Sequence, residues 1–210
     1  FGATNLPYPS WWGGLNGQKM ESHIIDQWAE ILSLPKGLTP DLSHIPFTMG
    51  RSQRWGNTVV LQSRSNWSPY KDQPLEMWGD LASELIRKKY QVVQIGGLND
   101  PWIENAEFIY AGGPEAHMSL LKHCKVFIGP DSVFQHMAKG LGTKAIVLWG
   151  STDPVGFGYE SHINLNKKLP CQPCYREYSH ITKGNQCPFN IKCNFQPDEV
   201  SLTLQKIKEL

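Results

Sequence analysis

Residues 58–160 alternate short apolar runs with longer segments of helical character, and this alternation limits the possible folds more than any other feature. The apolar runs are TVVLQS, QVVQIGG, EFIYAGG, KVFIG and KAIVLWG. The segments between them have apolar residues at helical spacing, as in QPLEMWGDLASELIRKK, PEAHMSLLKHC and SVFQHMAKGL. Strands that are apolar throughout are typical of a parallel sheet with helices on both faces. We therefore predict a doubly wound, Rossmann-like α/β domain.

The chain divides into two parts at about residue 57. Residues 1–57 are rich in Gly, Pro and Trp and contain one predicted helix, in ESHIIDQWAEILSL. This stretch has too few strands for a complete domain, so we interpret it as the tail of a preceding lobe followed by a linker. Residues 58–210 comprise the α/β domain, an irregular cysteine-rich segment at 171–193, called here the Cys knuckle, and a C-terminal helix in PDEVSLTLQKIKEL.

Composition excludes several classes of partner. The formal net charge is +1, so the chain as a whole is not attracted to nucleic acid or to a membrane surface. No apolar run is long enough to span a bilayer, and no signal-peptide pattern opens the chain at Phe1. We expect a cytoplasmic protein without a transmembrane segment, and an oligomer is compatible with the sequence.

Polar residues cluster at the junction IGPDSVFQHMAKGLG, where the fourth predicted strand meets a helix. Asp131, Ser132, Gln135 and His136 all lie within about one helical turn of this point. In open parallel sheets, ligands bind beyond the carboxyl ends of the strands, where helix N-termini favour phosphate. The alternative interpretation is that Asp131 and Ser132 only cap the helix and that His136 is a surface histidine.

Three further polar loops follow the first, second and fifth predicted strands. The paired glycines of the second loop allow close backbone approach to a ligand, although the full dinucleotide-binding fingerprint is absent. Four polar loops at one edge of the sheet favour a phosphate-bearing ligand. The candidate residues in the three further loops are Ser63, Arg64 and Lys71; Gly96 and Gly97; and Ser151, Thr152 and Asp153.

The segment FIGPDSVFQHMAKGLGTKAIVLWGSTDP resembles the donor-site segment of the family 9 glycosyltransferases, the ADP-heptose:lipopolysaccharide heptosyltransferases. The resemblance extends from YKDQP through IGG to CQPCY and PDEV and covers roughly residues 57–210. It implies the GT-B architecture, in which two Rossmann-like halves enclose a cleft. This chain is similar to the C-terminal, donor-binding half.

The resemblance also assigns roles to individual residues. Asp131, Ser132 and His136 match the donor motif, and Ser132 with the adjacent amides would contact the diphosphate of the donor. Lys71 matches a family lysine that would neutralise phosphate charge. Two positions depart from the pattern, because Val133 replaces a glycine and Lys139 replaces an alanine.

The implied reaction is transfer of a sugar, with inversion, from a nucleoside-diphosphate donor such as ADP-heptose to an acceptor hydroxyl on a glycan, lipid or protein. In the family the base is a carboxylate near the start of the N-terminal half, so we expect the base outside this chain. Asp131 could act as a base, but helix capping is the favoured role. Two alternatives remain open: a sugar-nucleotide epimerase on the same fold, and a binding module whose Cys knuckle grips nucleic acid or protein.

Four of the five cysteines lie in the Cys knuckle. Cys171 and Cys174 form a CxxC pair, and Cys187 and Cys193 follow at distances that allow a four-thiolate metal site. Two disulfides in an exported protein are the alternative, but a cytoplasmic enzyme keeps its thiols reduced, which favours metal. The resemblance also implies a metal site, since protein-modifying heptosyltransferases of the family have a similar cysteine-rich segment that binds iron. Zinc and iron both remain open, and Cys124 is expected in the core.

Overall fold

The computed structural model describes residues 22–45, 53–65, 69–109, 113–174, 187 and 192–210. Most of the Cys knuckle, the Gly- and Trp-rich start of the chain and residues 66–68 therefore lie outside the described residues. The helices are α1 (Ile24–Ile31), α2 (Leu75–Arg87), α3 (Pro114–His123), α4 (Val133–Gly140), α5 (Pro154–Phe157) and α6 (Val200–Ile207). The strands are β1 (Thr58–Leu61), β2 (Gln91–Ile95), β3 (Glu107–Ile109), β4 (Val126–Pro130), β5 (Ala145–Trp149) and β6 (Ile163–Asn166).

The strands form one parallel six-stranded sheet in the order β3-β2-β1-β4-β5-β6. This order confirms the predicted doubly wound α/β fold and reverses direction between β1 and β4. Sequence reasoning missed β6, because its INLN sequence alternates Asn with apolar residues and its position at the sheet edge requires no continuous apolar run.

Both faces of the sheet are covered, which explains the apolar strands. On one face, alternate strand residues such as Leu61 and Ile128 pack under α2 and α6, where Trp78 is fully buried. On the other face, the intervening residues, including Phe127, pack under α3 and α4 beside Phe134. A strand between two such layers must be apolar at successive positions.

Local signals place the helix boundaries close to where the sequence predicts them. Ser132 caps α4, and Gly142 (φ +70°) follows its end in the left-handed conformation that glycine adopts without strain. The C-terminal helix begins with a 3-10 turn at Pro197–Glu199, in which Gln196 and Glu199 form a capping box.

Residues 22–45 pack directly against the α/β domain. Leu42 and Ile45 join the hydrophobic layer under α4, and the Leu42 amide donates to the Gly140 carbonyl at 2.9 Å. A Cβ on Gly140 would lie 2.7 Å from Leu42 Cγ, so the close approach of the two segments requires glycine there. The division at residue 57 remains a prediction. Across the described ranges, no helix combines the length and apolar character needed to cross a bilayer.

Candidate functional site

Lys71 and Asp131 meet at the point where the strand order reverses. Lys71 lies in the loop after β1, and Asp131 lies directly after β4. The Lys71 Nζ donates to Asp131 Oδ2 at 2.8 Å. Only 13% of the Lys71 side chain and 5% of the Asp131 side chain are exposed. Gln135 Nε2 donates to the other oxygen, Oδ1, at 3.0 Å. Asp131 is therefore a buried carboxylate with both oxygens engaged, and it anchors Lys71 at the switch point of the sheet.

Ser132 links the same two loops. Its Oγ accepts from the Phe134 amide at 3.3 Å as the α4 cap, and it donates to Gln62 Oε1 at 2.5 Å. Gln62 Nε2 in turn donates to the Arg64 carbonyl at 2.6 Å. Sequence reasoning overlooked Gln62, although its position directly after the buried residues of β1 was a signal that could have identified it. The loops after β1 and β4 are thus joined by two side-chain links.

His136 lies one turn into α4, is partly buried and contacts Tyr159. Its Nδ1 is 2.7 Å from Tyr159 Oη. Burial lowers the pKa of His136, the Asp131 charge acts in the opposite direction, and His23 and Lys71 lower the pKa further. At neutral pH the ring is therefore uncharged. Tyr159 was also absent from the sequence-based candidates.

Arg64 adds a second positive charge at the carboxyl edge. Its Nε lies 3.5 Å from Asp72 Oδ2, and Asp72 Oδ1 accepts from the Ser65 amide at 2.7 Å. Burial raises the pKa of Asp72, while the hydrogen bonds from Ser65 and the Arg64 charge lower it. Arg64 and Lys71 therefore lie in one loop, and each is held by a carboxylate.

Gly96 and Gly97, which we predicted to approach a ligand, stabilise the loop after β2 through Asp100. The Gly97 amide donates to Asp100 Oδ2 at 2.8 Å. A Cβ on Gly96 (φ +158°) would lie 2.2 Å from that same oxygen, so the glycine accommodates Asp100. Ser63, after β1, is also turned inward, because its Oγ donates to the Pro101 carbonyl at 3.1 Å.

The loop after β5 is buried. Asp153 caps α5 by accepting from the Val155 amide at 3.0 Å. Ser151 and Thr152 are fully buried, and Thr152 Oγ1 makes no hydrogen bond to any described residue. Of the loop residues predicted to bind a ligand, Lys71 and Arg64 share the edge with Asp131, Ser132 and His136, whereas the remaining loop residues stabilise turns or fill the interior.

The cysteines of the Cys knuckle are reduced and share one neighbourhood. None of the five cysteines forms a disulfide. Burial raises the pKa of the Cys193 thiol to about 11, and the nearby Cys174, Cys187 and Cys171 act in the same direction. Among the described residues, no group of three or more His, Cys, Asp or Glu is arranged to hold a metal ion. Cys124, which we expected in the core, is partly buried and packs against one of the core layers, and burial of its thiol raises its pKa to about 12.

The ends of the Cys knuckle lie against the candidate site. The Cys174 amide donates to the Ser151 carbonyl at 3.0 Å. At the other end, Asn194 Nδ2 donates to the Asp72 carbonyl at 2.5 Å, and Gln73 Oε1 accepts from the Phe195 amide at 2.7 Å. The Cys knuckle therefore borders the loop that carries Lys71.

Comparison with solved structures shows the fold. E. coli heptosyltransferase WaaC with ADP has a TM-score of 0.62 at 16% identity, covering 90% of this chain and 57% of that chain. The family 9 glycosyltransferase from Veillonella parvula DSM 2008 has a TM-score of 0.60 at 16% identity, covering 90% of this chain and 61% of that chain. The iron-containing dodecameric glycosyltransferase TibC from enterotoxigenic E. coli H10407 has a TM-score of 0.59 at 17% identity, covering 74% of this chain and 47% of that chain. The chain thus spans about half the length of such structures.

No curated protein matches the chain. The sequence profile of glycosyltransferase family 9 (heptosyltransferase) matches residues 44–184, which is more than half of the 210 residues. The match includes Lys71, the donor motif at 131–136 and the first cysteine pair, which are among the residues that carried the sequence resemblance, and it ends before the PDEV segment. The chain belongs to glycosyltransferase family 9.

Proposed function

We propose that the chain is the donor-binding half of a glycosyltransferase, and that it binds ADP-heptose and transfers the heptose with inversion to an acceptor hydroxyl. The observation that carries the proposal is the meeting of Lys71 with the N-terminus of α4 at the switch point of the sheet. One TibC structure is a complex with ADP-D-beta-D-heptose, and one WaaC structure contains ADP. Those complexes support the choice of the adenine nucleotide and of heptose for this chain.

The chemistry of the switch point suits a diphosphate. The Lys71 ammonium has three N–H donors, and Asp131 accepts from it through one oxygen, so donors remain for phosphate oxygens. The first amides of α4 carry the positive end of the helix dipole. Val133 is 56% exposed in this first turn, where the family has glycine, so its side chain narrows the approach to those amides. Charge developing on the leaving diphosphate would be stabilised by these fixed donors.

The acceptor hydroxyl must lose a proton during transfer, and this requires a base. Asp131 is poorly suited to that role because Lys71 and Gln135 already occupy both of its oxygens. We assign the base to the N-terminal lobe that the family resemblance implies. The part assigned to this chain is to bind the donor, orient it and stabilise the leaving group. The acceptor belongs to the class of glycans, lipids or protein hydroxyls, with lipopolysaccharide biosynthesis as the favoured setting.

A structural metal ion at the Cys knuckle is part of the proposal. The donor set fits, because all four cysteines are free thiols and Cys171, Cys174 and Cys187 lie near enough to Cys193 to help raise the pKa of its thiol. Zinc or iron bound by four thiolates would have no open coordination position, so the ion would stabilise the fold rather than take part in transfer. The thiols would have to close around the ion, since the described atoms do not form a ligand group. Reduced thiols also fit a cytoplasmic location.

A thermal-shift panel of ADP, UDP, GDP and ADP-heptose tests the donor assignment. Binding to the native state raises the melting temperature with ligand concentration. We expect ADP and ADP-heptose to stabilise the protein at lower concentrations than UDP or GDP do. Stabilisation by UDP in preference to ADP would contradict the donor assignment, and stabilisation by none of the four would contradict nucleotide binding.

A further inference from the structure

We propose that Tyr159 is a positioning residue, whose hydroxyl donates to His136 Nδ1 and so holds the ring as the neutral tautomer with its proton on Nε2. This inference rests on the proposed function, because the donor diphosphate is the group that the Nε2–H would meet. Tyr159 lies between α5 and β6, outside the donor motif, and it reaches His136 from a neighbouring element.

The contact between the two rings has the geometry of a fixed hydrogen bond. Tyr159 is 6% exposed, its Oη lies 2.7 Å from His136 Nδ1, and the ring planes cross at 88° with centroids 5.5 Å apart. Within the described ranges, neither the Tyr159 hydroxyl nor His136 Nε2 makes another hydrogen bond. The pair therefore leaves one ring nitrogen available to a ligand.

The proton positions follow from the surroundings of the pair. Burial raises the pKa of Tyr159 to about 12, and the Asp131 charge acts in the same direction, so the phenol keeps its proton. Burial lowers the pKa of His136, with Lys71 and His23 adding to this effect and Asp131 opposing it, so the imidazole is neutral. If Nδ1 carried the proton, the Tyr159 hydrogen would have no acceptor among the described residues. Nδ1 must therefore accept, and Nε2 carries the proton.

Other side chains hold the Tyr159 ring in place. The His23 ring lies 5.1 Å from it at 33°, and the His162 ring lies 5.3 Å from it at 79°. Lys139 Nζ is 5.8 Å from the ring centroid. Because His23 belongs to the segment before the sheet, that segment helps to fix the orientation of a residue in the donor motif. A neutral ring with its proton fixed on Nε2 is already the tautomer that can donate to a phosphate oxygen, so binding requires no shift of the tautomer equilibrium.

Tyr159→Phe tests the role because it removes the hydroxyl and keeps the ring contacts. The first readout is the long-range ¹H–¹⁵N spectrum of the ligand-free protein, with the His136 signals assigned from their loss in His136→Ala. In the wild type we expect one protonated nitrogen, Nε2, and one unprotonated nitrogen, Nδ1. In Tyr159→Phe we expect averaged shifts from a mixture of tautomers. Tyr90→Phe, at the opposite edge of the sheet, is the matched control and should keep the wild-type spectrum.

The second readout is the ADP dissociation constant from calorimetry. Tyr159→Phe should weaken ADP binding about fivefold, as expected for one neutral hydrogen bond, and should have no further effect in the His136→Ala background. An unchanged tautomer in Tyr159→Phe, or equal weakening with and without His136, would overturn the inference. If the wild type bound no ADP, the proposed function would fail together with the binding role of Tyr159. The ligand-free spectrum would still show whether the Tyr159 hydroxyl fixes the tautomer.

Discussion

Lys71→Ala should destabilise the protein strongly, because it leaves the buried Asp131 carboxylate without its ion partner. Removing one member of a buried pair costs about 3–5 kcal/mol. Lys71 keeps 13% of its side chain exposed, and Gln135 and the α4 N-terminus continue to stabilise Asp131, so we expect the lower part of that range, about 3 kcal/mol. For a domain of this size, that corresponds to a fall in melting temperature of about 6–12 °C.

The assay is urea unfolding of Lys71→Ala, Asp131→Asn and the double variant. Neutralising both members removes the unpaired charge, so the double variant should recover most of the free energy of unfolding that Lys71→Ala loses. Lys167→Ala is the matched control, since Lys167 is 17% exposed but pairs with the more exposed Glu199 at 2.6 Å. It should cost about 1 kcal/mol or less. Equal losses for Lys71→Ala and Lys167→Ala, or no recovery in the double variant, would refute the reasoning.

Three further predictions follow from other parts of the structure. Gly150→Ala would place a Cβ 2.3 Å from the Tyr70 carbonyl oxygen and displace the adjoining Lys71 loop, so calorimetry should find ADP binding weakened. Gly56→Ala is the control, because a Cβ at that position would have no atom within 4 Å, and this variant should bind ADP as the wild type does. Burial lowers the pKa of His162 from 6.5 to about 4, so as the pH falls the unfolded chain is protonated before the folded chain is, and the free energy of unfolding should fall by about 3 kcal/mol between pH 6.5 and pH 4. Urea unfolding of His162→Phe should lack this loss of stability, and a pH dependence equal to that of the wild type would contradict the prediction. Cys171→Ser should reduce the metal content found by elemental analysis from about one ion per chain, lower the melting temperature and weaken ADP binding, and a metal-free wild type would contradict the metal proposal.

The order of strands and helices could be read from the sequence because it depends on local patterns. The central strands are buried on both faces and are therefore largely apolar. Ser132 and Gly142 mark the ends of α4, Ser132 by its capping side chain and Gly142 by its left-handed backbone. The edge strand β6 has no such requirement, and its Asn residues hide it. The fold was thus predictable where burial was complete and less so at the edge.

The site was predictable only as a set of loops. The edge of the sheet follows from topology, but the pairing of Lys71 with Asp131 joins residues 60 positions apart, and no local pattern encodes it. For the same reason, the sequence identifies Lys71 only as a cation in a polar loop, whereas the structure makes it part of a buried ion pair. Gly96 was read as a point of ligand approach, and only the position of Asp100 shows why glycine is needed there.

The position of the Cys knuckle was also beyond the sequence. The spacing of the cysteines predicts a metal site but does not predict where that site lies relative to the sheet. Asn194 and Phe195 are hydrogen-bonded to the loop that carries Lys71, across 122 residues of chain. Hydrogen bonds between main chain and side chain at that separation leave no trace in composition or periodicity.

The central claim is that a donor diphosphate binds between the loops after β1 and β4. Calorimetric titration of ADP into the wild type and into the Lys71→Ala/Asp131→Asn double variant tests it most directly, because the double variant should retain a stable fold. Loss of the charge-assisted contact from Lys71 should weaken ADP binding by about tenfold or more. Wild-type affinity in the folded double variant would place the nucleotide elsewhere and contradict the claim.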